Sequence, residues 1–219
     1  MEPEFWHQRW ETNTTAFHEG RVNAALERQF ARLALAPGTT VFVPLCGKAV
    51  DMRWLRDRGH PVLGVELSRI AVRDFFEENA MAYEEDDIGP FARLRGDGVT
   101  LLCGDFFALT RDHLVAVGAV YDRASLVALP ADMRGRYVAH LLSVVPPTAP
   151  MLTVTFEYPE REMSGPPFSV SESEVRARFG GERHIELLES REVADQAPSL
   201  RERGLSELHE HAFLLSPQG

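Results

Sequence analysis

The chain has 219 residues, 44% of them hydrophobic and 26% charged, with a formal net charge of −10. Such a composition excludes intrinsic disorder, and the length predicts one globular domain that buries about 70% of its unfolded surface without metal or disulfide staples. The acidic balance argues against non-specific binding to nucleic acid or anionic membrane, both of which need a basic face, and no run of 18 apolar residues predicts a membrane span.

Only two cysteines occur, Cys46 and Cys103, and neither belongs to a metal-ligand pattern. The start, Met1 to Trp6, is acidic and aromatic, unlike a secretory signal. A reducing cytoplasm is the expected compartment. Of the 23 basic residues, 22 are arginine and only Lys48 is lysine; the skew reads as genome composition.

Val22, Leu26, Phe30 and Leu33 share one face and predict a helix over 22–34, ended by Pro37-Gly38. Thr40 to Val43 is a short apolar strand. The turn Pro44-Leu45-Cys46-Gly47-Lys48 leads into a helix over 50–58, which Gly59-His60-Pro61 breaks. Val62 to Val65 is the next strand, ending at Glu66. Ser68 is placed to cap a helix that runs to about Ala80. The stretch from Glu77 to Asp87 holds six carboxylates and no base and reads as a solvated helix end and loop. Further strands are expected at 99–103, 117–121 and 152–157, with a helix over 132–144. A helix near 172–179 and two terminal strands, 184–191 and 207–215, complete the pattern.

Strands alternating with helices predict a parallel sheet covered on both faces. Such sheets bind ligands beyond the carboxyl ends of their strands, where the strand order reverses. The residues after each strand are therefore the candidate site. Gly47 lets backbone approach a ligand closely, although the turn is neither GxGxxG nor a phosphate loop. Glu66, 19 residues on, stands where an acid accepts ribose hydroxyls, since one carboxylate takes both protons. Asp105 suits an exocyclic amine and Phe106 a flat base. Asp122-Arg123 closes the fourth strand. The bland alternatives are a structural turn, a surface acid, a capping Asp beside a core Phe, and a surface ion pair. Taken together, the strand ends favour a nucleoside-containing cofactor with no strong pyrophosphate grip, S-adenosyl-L-methionine rather than a dinucleotide.

Five stretches then carry a family resemblance. They are Phe5 to Trp10, Thr15 to His18, Val43 to Met52, Asp57 to Ser68, and Asp122 to Leu129. In this order they resemble thiopurine S-methyltransferases, most closely the bacterial type; the last third matches only in pattern. The resemblance implies a Rossmann-like class I S-adenosylmethionine-dependent methyltransferase, an α/β fold with a seven-stranded, mostly parallel sheet. It implies one domain, with residues 1–35 as an N-terminal helical lid and 36–219 as the sheet core. Cofactor contacts would fall on Trp6, Trp10, Leu45, Gly47, Glu66, Asp105, Phe106 and Arg123. Phe17 and Arg123 would touch substrate, with Asp122 and Arg123 as the catalytic pair. A second substrate-side arginine has two candidates, Arg201 and Arg203. No metal is expected, and the implied activity is methyl transfer to the sulfur of aromatic or heterocyclic thiols, with selenium and tellurium species as further acceptors. Trp6, Trp10 and Phe17 would cover a sulfonium cation, which aromatic faces favour; the alternative is one apolar helix face packed on the core. A thiocyanate, halide or bisulfide methyltransferase and a non-catalytic cofactor-binding module are the competing readings. A monomer acting on a small molecule is expected.

Overall fold

A computed structural model describes residues 3–15, 20–123 and 125–218. In chain order the elements are α1 (Pro3–Glu11), α2 (Ala24–Gln29), β1 (Thr40–Val43), α3 (Asp51–Asp57), β2 (Val62–Glu66) and α4 (Arg69–Glu78). There follow β3 (Glu84–Ile88), β4 (Phe91–Gly96), β5 (Val99–Cys103), β6 (Val117–Arg123), α5 (Ser125–Ala128) and α6 (Ala131–Val144). The chain closes with β7 (Met151–Glu157), α7 (Glu172–Phe179), β8 (Arg183–Glu192), α8 (Pro198–Glu202) and β9 (His209–Pro217).

Among the described residues, nine strands form one sheet in the order β3-β4-β5-β2-β1-β6-β7-β9-β8. The centre, β5-β2-β1-β6-β7, is parallel, and the pairs beyond it are antiparallel. The expected seven strands are present, and the correction is a further hairpin, β3-β4. The run from Glu77 to Asp87 reads as a helix end and loop because it is dense in carboxylates, whereas Glu84 to Ile88 is a strand. It is held by the ladder to β4, by the cross-strand pair of Arg93 Nε 2.8 Å from Asp86, and by Arg69 of α4 on Glu85. A charged edge strand also discourages pairing with another chain.

Short apolar runs make the inner strands because both faces are covered. On one face Leu26 of α2, Met52 and Leu55 of α3, and Phe75 and Phe76 of α4 pack against Val41, Val43 and Leu101. On the other, Tyr137 and Leu141 of α6 and Phe179 of α7 pack against Phe42, Val120 and Phe213. Two caps place the helices near the site. Asn23 accepts the Leu26 amide at 3.0 Å to start α2, and Ser68 caps α4 through the Ala71 amide. The segment 22–34 is a six-residue α-helix tightened into a 3-10 turn at Phe30–Leu33, which ends at Ala34 with φ of 50°.

Candidate active site

The strand order reverses between β1 and β6, so the crevice outside their carboxyl ends is the binding position of such a sheet. The turn after β1 bends sharply. Leu45 has φ of 45° and Gly47 of 51°. Gly47 tolerates this region without strain, whereas Leu45 adopts it at a cost that the surrounding bonds must hold. The Cys46 amide donates to the Val65 carbonyl at 3.0 Å, and Ser125 Oγ donates to the Pro44 carbonyl at 3.2 Å. The turn is thereby fixed to β2 on one side and to α5 on the other.

Glu66 ends β2 and is 7% exposed. Its Oε2 accepts the Gly47 amide at 2.9 Å and its Oε1 accepts the Ser68 amide at 2.8 Å. Burial raises its pKa above the ordinary carboxylate value, while the Ser68, Gly47 and Leu67 amides and the charge of His7 pull the other way. Each carboxylate oxygen has two lone pairs, so both retain acceptor capacity for a ligand hydroxyl. His7 lies on α1, which brings that helix within electrostatic reach of this acid.

Trp10, also on α1, is 6% exposed. A Cβ added to Gly47 would stand 3.3 Å from its ring. The indole thus lies against the turn, where any residue larger than glycine would push it away. Trp6 is half-buried, edge-on to Phe5 at 5.2 Å. Phe17 lies outside the described residues.

At the end of β5, Asp105 is exposed and accepts the Phe107 amide at 2.9 Å. Phe106 is 3% exposed, with its ring 4.8 Å from that of Tyr137. Its face is occupied by the core, and the half-buried ring at this strand end is Phe107.

The last two residues of β6 face opposite sides of the sheet, as adjacent strand residues must. Arg123 is half-buried on the side of Tyr121; burial and the Asp51 charge push the Tyr121 hydroxyl pKa well up, and the Arg123 charge partly opposes them. Asp122 is 1% exposed on the α6 side, and its Oδ2 accepts the Tyr137 hydroxyl at 2.9 Å. Among the described residues its Oδ1 has no hydrogen-bond partner. Burial pushes its pKa up to about 6, held from rising further by Ser125 and the Tyr137 hydroxyl. Arg201 and Arg203 are both exposed at the end of α8. Arg201 pairs with Asp195, and Arg203 Nη1 donates to the Pro166 carbonyl at 2.9 Å.

Sequence reasoning passed over a buried polar network beside this crevice. Tyr121 Oη donates to Asp51 Oδ2 at 3.0 Å, Asp51 Oδ1 accepts the Asn23 amide at 2.8 Å, and Asn23 Nδ2 donates to Glu210 Oε2 at 2.8 Å. The four residues are far apart in the chain, so no local pattern marks them. Next to it, at the carboxyl end of β7, is a cavity of about 420 Å³ whose lining includes Arg21, Asn23, Phe156, Gln196 and Glu210.

A glycine turn without side-chain bulk, a strand-end carboxylate with spare acceptors and an indole against the turn fit S-adenosylmethionine. Solved structures share the fold. A 1,6-didemethyltoxoflavin-N1-methyltransferase from Burkholderia thailandensis, with bound S-adenosylhomocysteine, aligns with a TM-score of 0.65 over 99% of this chain and 87% of its own, at 16% identity. The [4+2]-cyclase SpnF aligns with a TM-score of 0.67 over 100% and 98%, at 14% identity. Likenesses this remote concern the fold, which hosts more than one chemistry.

Fold and site together define a Rossmann-like class I S-adenosylmethionine-dependent methyltransferase. Residues 1–218 match the family Thiopurine S-methyltransferase (TPMT). A thiopurine S-methyltransferase of Nitrosospira multiformis is 49% identical over 215 residues, covering 98% of each chain. One of Methylococcus capsulatus is 48% identical over 219 residues, covering 100% of this chain and 99% of its own. The chain belongs to the thiopurine S-methyltransferase family, and its cofactor is S-adenosyl-L-methionine.

Proposed function

We propose that the chain methylates the sulfur of aromatic or heterocyclic thiols, thiopurines among them. The observation that carries this reading is the end of β6, where a half-buried arginine stands at the switch point beside a buried carboxyl group. The cofactor, when bound, supplies an activated methyl group on a cationic sulfur. The thiol attacks poorly and the thiolate well, so the protein's task is to favour the anion and hold it in line. Arg123 does the first electrostatically. Asp122 acts through position: its bond to Tyr137 fixes the end of β6, and with it Arg123. Glu66 and the Gly47 turn hold the nucleoside end, and Trp6 and Trp10 exclude water from the transfer. Holding two reactants in attack geometry contributes about 7–11 kcal/mol. A heterocyclic thiol is acidic enough to ionise near neutral pH, so no strong base is required.

A ring-sized acceptor is preferred to a halide or thiocyanate on the likeness to thiopurine S-methyltransferases. The reading keeps Phe17 as an aromatic contact of the substrate. Soft selenium and tellurium nucleophiles suit the same cationic position. The reading includes a monomeric, cytoplasmic protein of one domain, 1–35 forming the lid.

The test is turnover of 6-mercaptopurine with S-adenosylmethionine, followed by the mass and connectivity of the product. One added methyl on sulfur is expected. Methylation of thiocyanate or iodide, with none of 6-mercaptopurine, would replace this reading with the small-nucleophile one.

A further inference from the structure

Lys48 is one lysine among 23 basic residues. A composition that has made every other cationic position arginine should have replaced an interchangeable lysine too. The structure shows why arginine does not serve here. The Lys48 side chain is 8% exposed, and its ammonium is shared between two carboxylates one turn apart on α4. It stands 3.0 Å from Asp74 Oδ2 and 2.6 Å from Glu78 Oε1. It is also 5.8 Å from the centroid of the Trp10 ring, within cation–π range. One tetrahedral nitrogen carries three donors from a single point. A guanidinium is bulkier and spreads its donors across a plane. In this buried site, between the carboxylates of α4 and the indole of α1, it fits less closely than an ammonium.

We propose that Lys48 is a positioning residue that sets cofactor affinity by clasping the lid helix α1 and helix α4 to the turn Pro44–Lys48. Its neighbour Gly47 bears both contacts that matter for the cofactor, the bond to Glu66 and the face of Trp10. A shift at residue 48 therefore passes directly to both. The two acids hold the ammonium charged against its burial. Lys48 acts through the turn and through Trp10.

The inference rests on the turn facing the cofactor, so the test reads binding as well as turnover. Calorimetry with S-adenosylhomocysteine on the wild-type chain comes first; absence of binding would overturn the role of the turn and the clasp with it. Lys48→Arg, which keeps the charge, is expected to raise Kd about tenfold. Its kcat at saturating cofactor is expected to stay near that of the wild type, as is its melting temperature. A Kd equal to that of the wild type, or a fall in melting temperature with Kd unchanged, would overturn the proposal. Should Lys48→Arg not fold, the pair Asp74→Asn and Glu78→Gln decides, since both partners are partly exposed. That variant is expected to weaken S-adenosylhomocysteine binding, and undiminished affinity would overturn the clasp. In a Trp10→Phe background the Lys48→Arg effect should shrink, because contacting residues are energetically coupled.

Discussion

Glu66 and Gly47, 19 residues apart, are joined by a hydrogen bond of 2.9 Å from the glycine amide to the buried carboxylate. The bond links the carboxyl ends of β1 and β2 and holds the acid and the turn together. Replacing Glu66 by alanine leaves the Gly47 and Ser68 amides without their acceptor, at a cost of about 1–3 kcal/mol. It also removes the proposed ribose acceptor. The expected outcome is a folded protein whose affinity for S-adenosylhomocysteine falls at least about tenfold by calorimetry. Unchanged affinity would remove the carboxylate from the cofactor site.

Gly47 is the more demanding position of the two. Its φ of 51° is costly for any side chain, and a Cβ would meet Trp10 at 3.3 Å. Gly47→Ala should lose about 1–2 kcal/mol from the left-handed backbone alone. A larger loss of cofactor affinity than of stability is expected, because the indole is displaced. Denaturant unfolding and calorimetry on the same preparation separate the two.

Asp122 makes stability depend on pH in an unusual direction. Its folded pKa of about 6 lies above the ordinary 3.8. Between those values the native state binds more protons than the unfolded chain, so stability falls as pH rises through the window and levels off above 6. The full effect is about 3 kcal/mol. Asp122→Asn, which still accepts from Tyr137, should abolish this part of the decline between pH 4 and 6. Glu66, also raised, leaves a remaining slope of the same sign. Urea unfolding across that range, wild type against variant, checks the difference; parallel curves would contradict the assignment.

Arg123→Ala should lower kcat/KM for a heterocyclic thiol by about 10–100-fold while the chain stays folded. The loss should be greatest below the thiol's own pKa, where stabilisation of the anion matters most. Arg123→Lys should recover part of the activity, since charge without the planar fork still favours a thiolate. Wild-type kinetics in the alanine variant would show that the arginine does not face the acceptor.

Much of this was legible in the chain itself. Thr40 to Val43, Val62 to Glu66 and Val99 to Cys103 are strands because continuous apolar runs bounded by glycine and proline have nowhere to go but the middle of a covered sheet. Their ends, with that of β6, marked Gly47, Glu66 and Arg123 as candidates, since the topology of such sheets puts ligands there. The hairpin β3-β4 escaped notice because Glu84 to Ile88 is held by ladder bonds and cross-strand ions, and these leave no apolar period.

Sequence alone determined the order of elements outside the β3-β4 hairpin, the glycine turn, the strand-end acid and the family, because these are properties of local pattern and spacing. Only the tertiary structure decided which way each side chain faces and what it meets. Asp122 and Arg123 are adjacent in the chain yet lie on opposite faces of β6, and Phe106 is turned into the core while Phe107 stays half-buried. Lys48 and Trp10 are brought together, as are Tyr121, Asp51, Asn23 and Glu210. Such meetings arise from long-range packing, in which partners are set by the fold of the whole chain and leave no mark on the residues around them.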